Sequence, residues 1–243
     1  KKYHKKGFLL LNHFTMSAEM CDCFDNRRAG VKYILNQIQK IKYSSYIFSK
    51  HGLIKLNSKH KVPQDGVGSY NWYASALYVS KLIDNAILID FGSTTCDFSI
   101  IKNGKIQNKR TSDIDGMFTK ELLYTGCSRT PIYAHVSEVR YKNKIYSIIP
   151  ESFSSMSDIN IILGNLNKGD IYSKSSDGSD HSLLQSYKRL SRSFGFDYDK
   201  SQKNLINNLC LQIYINQVNL IEKTLSFHSE KFFKRTNFVV VGL

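Results

Sequence analysis

Residues 85–104 read NAILIDFGSTTCDFSIIKNG, and the fold turns on how this stretch is taken. Ala86 to Ile89 is a short apolar run of the kind that makes a buried strand. It ends at Asp90, after which Gly92-Ser93-Thr94-Thr95 packs small side chains and exposed amides into one tight turn. Phe98, Ile100 and Ile101 give a second extended segment, closed by Asn103-Gly104, the commonest two-residue hairpin signal. Lys105 to Thr111 is then expected to run back as a third strand. Such a turn can aim several backbone N–H groups and three hydroxyls at one point, which suits a phosphate oxygen. Asp90 and Asp97, one carboxylate on each side, could hold a hydrated Mg²⁺ against that phosphate. The same residues also make an ordinary hairpin turn, and an Asp at a strand end often only caps a loop. The local pattern leaves both readings open.

A second stretch of interest is Tyr124-Thr125-Gly126-Cys127-Ser128-Arg129-Thr130-Pro131. Arg129 offers a planar guanidinium that can grip a phosphate through two hydrogen bonds. Thr125, Ser128 and Thr130 add hydroxyls, and Gly126 lets the backbone approach closely. The plainer reading is a surface arginine in a turn ended by proline.

Composition sets the outer limits. With 243 residues, 42% hydrophobic and 12% aromatic, the chain can bury a real core as one large domain or two small ones. No apolar run approaches the roughly 18 residues that span a bilayer, so no membrane segment is expected. Phe8 to Leu11 is too short for the apolar part of a secretory signal, and the cytoplasm is the expected location. The formal charge of +14 has two readings. The favoured one is a Lys-rich surface that is merely solvated. The other is attraction to an anion, either a phosphorylated small molecule or a nucleic acid. The basic residues are dispersed, the densest group being Lys1, Lys2, Lys5 and Lys6, and no RNA- or DNA-binding module is recognisable, which argues against nucleic acid. Among five cysteines, Cys21-x-Cys23 is the one close pair and has no partners at zinc spacing. Cys96, Cys127 and Cys210 read as small buried residues.

Along the chain, Phe8 to Phe14 is expected as a strand. Thr15 or Ser17 offers a helix cap, with Glu19 and Asp22 in the first turns. Arg27-Arg28 and Gly30 interrupt that pattern before a helical period resumes over Val31 to Ile41. Short strands are expected at Tyr46 to Phe48 and Leu53 to Leu56, then a loop over Lys59 to Gly68. Ser69 should cap a helix through Leu82, with Trp72 as a core anchor and Asn71 at the helix start, where it can face a ligand. Further on come a helix around Phe118 to Leu123, a hairpin of Ile132 to Val139 with Lys144 to Ile149, and a helix from Pro150 to Leu163. Lys168 to Asp180 reads as a loop and His181 to Phe194 as a basic amphipathic helix. A long helix is expected over Lys200 to Phe233, burying Leu205, Leu209, Ile213, Val218, Leu220, Ile221 and Leu225. Asn237 to Val241 is expected to be a buried strand, and its position at the end suggests a domain that continues.

Several blocks fall into one order: TMSAEMCDCFDNRRAGV (15–31), SYNWYASA (69–76), IDFGSTTCDFSII (89–101), TSDIDGMFTKELLYTGCSRTPIYAHV (111–136), PESFSSMSDINIILG (150–164), SSDGSD (175–180) and RLSRSFGFD (189–197). Together they resemble the hydantoinase/oxoprolinase-like family tied to tetrahydromethanopterin- and methanofuran-linked one-carbon transfer. Its characterised archaeal members are methanofuran-biosynthesis synthases. The resemblance implies an α/β, two-lobed actin-like ATPase (ribonuclease H-like) fold with mixed sheets flanked by helices. Residues 1–84 would form a first lobe lacking the usual N-terminal phosphate strand, and 85–243 a second lobe with the phosphate hairpin and the long helix. It also implies a reaction. The phenol of glutamyl-tyramine attacks the carbon of an aminomethylfuran diphosphate, an ether forms, and pyrophosphate leaves.

Carried over residue by residue, Asp90 and Asp97 would hold Mg²⁺. Gly92, Ser93, Thr94, Thr95, Gly126 and Thr130 would bind phosphate, and Arg129 would clamp it catalytically. Glu19 and Asp22 would accept the phenol proton or add a metal ligand, and Asn71 would touch the substrate. This requires Thr94 and Arg129 to share one surface. The implied partner is a phosphorylated small molecule, with a homo-oligomer or an enzyme-complex subunit as the assembly. The sequence departs from the family at three places: Cys96 where Thr is usual, Thr119-Lys120-Glu121 for Ser-Gly-Glu, and Ser99-Ile100-Ile101 without the expected Pro. The family's first Asp-x-Gly-Gly segment is expected upstream of Lys1. Two other readings remain, an ATP-dependent phosphotransferase of the same fold and a non-catalytic subunit that keeps it.

Overall fold

The computed structural model describes residues 11–41, 43–56, 66–230 and 236–242. Expectations for 8–10, 59–65 and 231–233 lie outside the described residues. The elements begin with β1 (Asn12–Phe14), α1 (Arg27–Gln39), β2 (Ser45–Ser49), β3 (Gly52–Leu56) and α2 (Asn71–Ser80). The middle of the chain holds β4 (Ala86–Phe91), β5 (Cys96–Lys102), β6 (Lys105–Ile106), α3 (Asp113–Thr119) and β7 (Leu122–Leu123). β8 (Glu138–Tyr141), β9 (Lys144–Ser147), α4 (Met156–Ile162), α5 (Leu183–Ser193), α6 (Lys203–Ser229) and β10 (Asn237–Gly242) complete it. Both parallel and antiparallel strand pairs occur, and helices accompany them: the fold is mixed α/β. The chain divides into two compact units, one of residues 1–86 with 99–119 and one of residues 87–98 with 120–243.

In the first unit β2 is central, parallel to β1 and antiparallel to β3, so Ile47 lies between Phe14 and Ile54. The alternation of β2 buries Ser45, Ile47 and Ser49. Ile47 shares a core with Val31, Leu35 and Ile38, the apolar stripe of α1. That helix starts later than Thr15 or Ser17 predicts. Asn26 is its cap, accepting the Ala29 N–H at 2.9 Å, and residues 15–26 form irregular turns without a continuous apolar stripe. Glu19 and Asp22 therefore precede the helix.

Ser69 does not cap α2 either. It sits at φ +57°, and its hydroxyl is committed to Glu19. Trp72 is buried as expected, with the Arg110 guanidinium 4.1 Å from its ring centroid, a cation–π contact. Asn103 and Gly104 both have positive φ, the geometry of a tight hairpin turn. The returning strand is only Lys105–Ile106, because the Asn108 side chain takes over the Ile100 N–H at 2.8 Å. The helix expected at 118–123 instead covers Asp113–Thr119, ends at Lys120 with φ +58°, and gives way to β7.

In the second unit β4 lies between β10 and β5, and β7 pairs with β5 through Cys96–Leu123 and Asp97–Leu122. Ile87, Ile89, Cys96 and Phe98 form a small core against Ile221 and Leu225 of α6. A larger core gathers Ile132, Met156, Ile159, Leu190, Ile206, Leu209 and Ile213 from α4, α5, α6 and their connections. Several expectations shift here. Ile132–Ala134 is a 3₁₀ turn, so the hairpin is only β8–β9. α4 opens at Met156 through a Ser155/Asp158 capping box, not at Pro150. On α6 the buried stripe runs through Gln217, Thr224 and His228, leaving Val218 and Leu220 exposed. β10 is not a buried strand, since Phe238 and Val240 are 54% and 68% exposed on a sheet edge.

Candidate functional site

The second unit builds one candidate site from two segments far apart in sequence. β4 carries the chain to Gly92, whose N–H donates to Thr95 O at 2.9 Å and closes the Gly92–Thr95 turn. The 125–130 segment straps across the back of that turn. Cys127 N–H donates to Gly92 O at 3.0 Å, and Arg129 N–H donates to Ser93 O at 2.8 Å. Gly126 makes the approach possible: a Cβ there would lie 2.4 Å from Ser93 C and Thr94 N. The hairpin tip and the backbone of Arg129 are thus in direct contact, while the Arg129 side chain is exposed.

The strap is held from behind by two side chains the sequence did not single out. Gln217 of α6 donates to Thr125 Oγ1 at 2.8 Å and to Gly126 O at 2.9 Å. Asn160 of α4 donates to Cys127 O at 2.7 Å. A polar residue on an otherwise apolar helix stripe is the signal that could have found both. Thr130 closes the strap on itself, its Oγ1 accepting the Gly126 N–H at 2.8 Å. Thr125 is buried against His135, with Oγ1 3.3 Å from Nε2. Burial lowers the His135 pKa, which favours a neutral ring able to accept the Thr125 proton. Of the residues predicted to bind phosphate, Ser93, Thr94 and Thr95 are partly open at the tip, whereas Gly126 and Thr130 are buried and bonded to each other.

Asp90 is the last residue but one of β4 and Asp97 the second residue of β5. Burial raises the Asp90 pKa, and the neighbouring Asp97 charge raises it further. The Thr95 hydroxyl donates to Asp97 Oδ2 at 3.4 Å. Two half-buried carboxylates in mutual repulsion among hydroxyl oxygens make a donor set that fits a hard divalent cation. Among the described residues no group of three or more His, Cys, Asp or Glu could hold a metal, so such an ion would complete its shell with water or substrate. The Cys96 thiol between the aspartates is pushed up to about 12 by burial and then by Asp97 and Asp90, which makes it an inert packing residue.

The remaining predicted site residues belong to the first unit. Glu19 is buried, accepts the Ser69 hydroxyl on Oε1 at 3.0 Å and lies 3.9 Å from Arg27 Nε. Its Oε2 has no hydrogen-bond partner among the described residues. Arg27 Nη2 donates to Ser69 Oγ and, at 3.1 Å, to Asp113 Oδ2. Gly68 gives this carboxylate its room, since a Cβ there would meet Glu19 Oε1 at 3.0 Å, and Gly30 gives room to the Glu19 backbone, whose O would lie 2.1 Å from a Cβ. Asp22 is exposed in the irregular segment before α1, and Asn71 is exposed at the first turn of α2.

Fold and sites define a mixed α/β protein organised around a hydroxyl-rich β-hairpin turn backed by a glycine-containing strap. A family model described as Hydantoinase/oxoprolinase matches residues 11–209, and the chain belongs to that family. It is 26% identical over 230 residues to a Methanocaldococcus jannaschii protein named (4-{4-[2-(γ-L-glutamylamino)ethyl]phenoxymethyl}furan-2-yl)methanamine synthase, covering 94% of this chain and 69% of that one. A Methanococcus vannielii protein of the same name is 31% identical over 169 residues, 69% of this chain and 75% of the relative. A nucleotide-free acetone carboxylase structure aligns with a TM-score of 0.48 and 15% identity, over 84% of this chain and 30% of that chain. No helix among the described residues is long and apolar enough to cross a membrane.

Proposed function

We propose that this protein is a transferase of methanofuran-type cofactor biosynthesis, joining an aminomethylfuran to glutamyl-tyramine through an ether. In the proposed reaction the phenol oxygen attacks the furan-bound CH₂. The C–O bond to diphosphate breaks, the O–C ether bond forms, the phenol proton passes to a base, and pyrophosphate leaves. The furan ring feeds electrons to that carbon, so bond breaking runs ahead and negative charge gathers on the departing diphosphate. Stabilising that charge is the main task of the protein.

The observation that carries the proposal is the seating of the 125–130 strap on Ser93, which puts the hydroxyl-rich turn beside the backbone of Arg129. The hydroxyls of Ser93, Thr94 and Thr95 would hydrogen-bond the leaving group, and Arg129 would clamp it with two N–H donors. Gly126 and Thr130 act one step removed by fixing the strap. Asp90 and Asp97 would hold Mg²⁺, which supplies charge neutralisation for the diphosphate. Glu19 and Asp22 stay the candidates for taking the phenol proton; Glu19 keeps one carboxylate oxygen without a partner among the described residues, the acceptor such a role needs. Asn71 is assigned to substrate contact.

The test is incubation of the protein with the furan-methyl diphosphate and γ-glutamyl-tyramine, reading ether by mass and pyrophosphate release. Both products should appear together, and Asp90→Asn and Arg129→Ala should suppress them. ATP turnover without ether would favour a phosphotransferase. Unchanged activity in the two variants would favour a scaffold role for this fold.

A further inference from the structure

The 125–130 strap is pinned one peptide plane at a time. In a planar trans peptide the C=O and the following N–H point in opposite directions, so fixing one aims the other. Gly126 O accepts from the Gln217 side chain at 2.9 Å, and across the same plane the Cys127 N–H donates to Gly92 O at 3.0 Å. Cys127 O accepts from the Asn160 side chain at 2.7 Å, and the Ser128 N–H donates to Ser93 O at 3.3 Å. Ser128 O accepts from the Ser157 N–H of α4 at 3.0 Å, and the Arg129 N–H donates to Ser93 O at 2.8 Å. Three successive planes are thus held by α6 and α4 on the oxygen side and by the hairpin on the other. The geometry continues into the hairpin. With Gly92 O and Ser93 O drawn to the strap, the Ser93 and Thr94 N–H groups are turned away from it. Gln217 and Asn160 are 1% and 4% exposed, and Gln217 also donates to Thr125 Oγ1 at 2.8 Å. A buried carboxamide gives little net stability over an apolar residue of its size; here it gives direction.

We propose that Gln217 and Asn160 are positioning residues. Through the strap they set the Gly92 and Ser93 carbonyls, and hence which way the hairpin amides face and where the Arg129 backbone lies beside them. Neither side chain touches the substrate. The proposal rests on the reaction above for the identity of the leaving group, whereas the positioning itself stands on the geometry of the second unit.

The experiment follows amide hydrogen exchange by NMR at Cys127, Ser128 and Arg129 of the whole chain, in Gln217→Met, Asn160→Leu and Gln217→Glu. In the first two variants these amides should exchange roughly tenfold faster or more, the scale of a lost buried hydrogen bond, while Leu190 of α5 keeps its protection. Gln217→Glu carries the test should the others fold poorly. Its carboxylate faces Gly126 O with no donor to offer, and protonation restores one. Strap protection, corrected for the intrinsic pH dependence of exchange, should therefore return as pH falls through the raised range of a buried carboxyl. With the furan-methyl diphosphate and γ-glutamyl-tyramine, kcat should fall roughly tenfold while KM for γ-glutamyl-tyramine stays within about twofold. In Gln217→Glu, kcat relative to the parent should recover at the same acidic pH. Strap exchange within about twofold of the parent, acceleration shared equally by Leu190, or parental kcat from a variant with a loosened strap would each overturn the proposal. Loosened strap amides in variants of a protein that forms no ether would instead retain the positioning and sink the transferase reading.

Discussion

At Gly126 the constraint is steric. A methyl group there would stand 2.4 Å from Ser93 C and O and Thr94 N, all backbone atoms with no side-chain freedom to yield. Gly126→Ala should cost about 1–3 kcal/mol by overpacking and push the strap off the hairpin tip. Denaturant unfolding measures the first effect, and loss of the proposed pyrophosphate release measures the second. Asp90 presents a different balance. Its pKa is raised in the fold by burial and then by Asp97, so the folded state holds the proton more tightly than the unfolded chain. Such a group destabilises the fold progressively as pH rises from the ordinary carboxylate range through its raised value. Asp90→Asn should therefore have a higher Tm than the parent at neutral pH without metal, a difference that fades below the usual Asp range. Mg²⁺ should raise the parent's Tm and leave Asp90→Asn unmoved. Equal responses to Mg²⁺ would rule out the proposed binding of the ion by Asp90.

Elements show where reading the chain succeeds and where it stops. Ala86–Phe91 and the Asn103-Gly104 turn were legible because a compact apolar run and a left-handed dipeptide carry their own conformation. The start of α1 was not, because Thr15, Ser17 and Asn26 are all good caps, and the choice falls to the packing of Met16 and Val31 in one core. The buried stripe of α6 was legible at Leu209 and Ile213. It was lost where it continues through Gln217 and His228, whose partners lie about a hundred residues away in sequence, and through Thr224, which bonds back to Leu220 O one turn earlier. The same holds for Gln217 and Asn160 behind the strap. Composition alone does not say which polar group a buried amide will satisfy.

α5 offers the clearest test at this scale. Arg189 is 1% exposed, donating to Asp158 Oδ1 at 2.9 and 2.7 Å and to Asp177 Oδ1, Ser179 Oγ and Asp180 O at 3.2, 2.7 and 3.1 Å. One side chain thereby ties the 177–180 loop to α4, so this part of the loop is anchored. Burial pushes Asp177 up, but Ser179, Arg189 and Ser175 outweigh it and hold the carboxyl well below the usual range. Its contribution is present above the ordinary Asp range and lost as pH falls through that lowered value. Arg189→Met should cost about 3–5 kcal/mol by stranding the buried Asp158 charge. Arg189→Lys should lose less, since it keeps the charge without the forked donors. Limited proteolysis should cut near Gly178 faster in both variants.

For the whole molecule the open question is what a formal charge of +14 does. If the lysines are merely solvated, salt should leave catalysis nearly unchanged, because exposed charges beyond the screening length of about 10 Å at 0.1 M contribute little. If the net field draws the diphosphate in, the effect must appear in encounter rather than in chemistry. Raising salt from about 0.02 to about 0.3 M should then lower kcat/KM for the furan diphosphate by roughly fivefold or more, with kcat at saturation preserved. The KM for γ-glutamyl-tyramine, whose charges largely cancel, should respond much less. A parallel loss of kcat would point to screening of the Arg129 clamp itself. The Arg129→Ala variant separates the two cases: it retains the salt slope if the whole surface steers, and loses it if the single guanidinium carries the attraction.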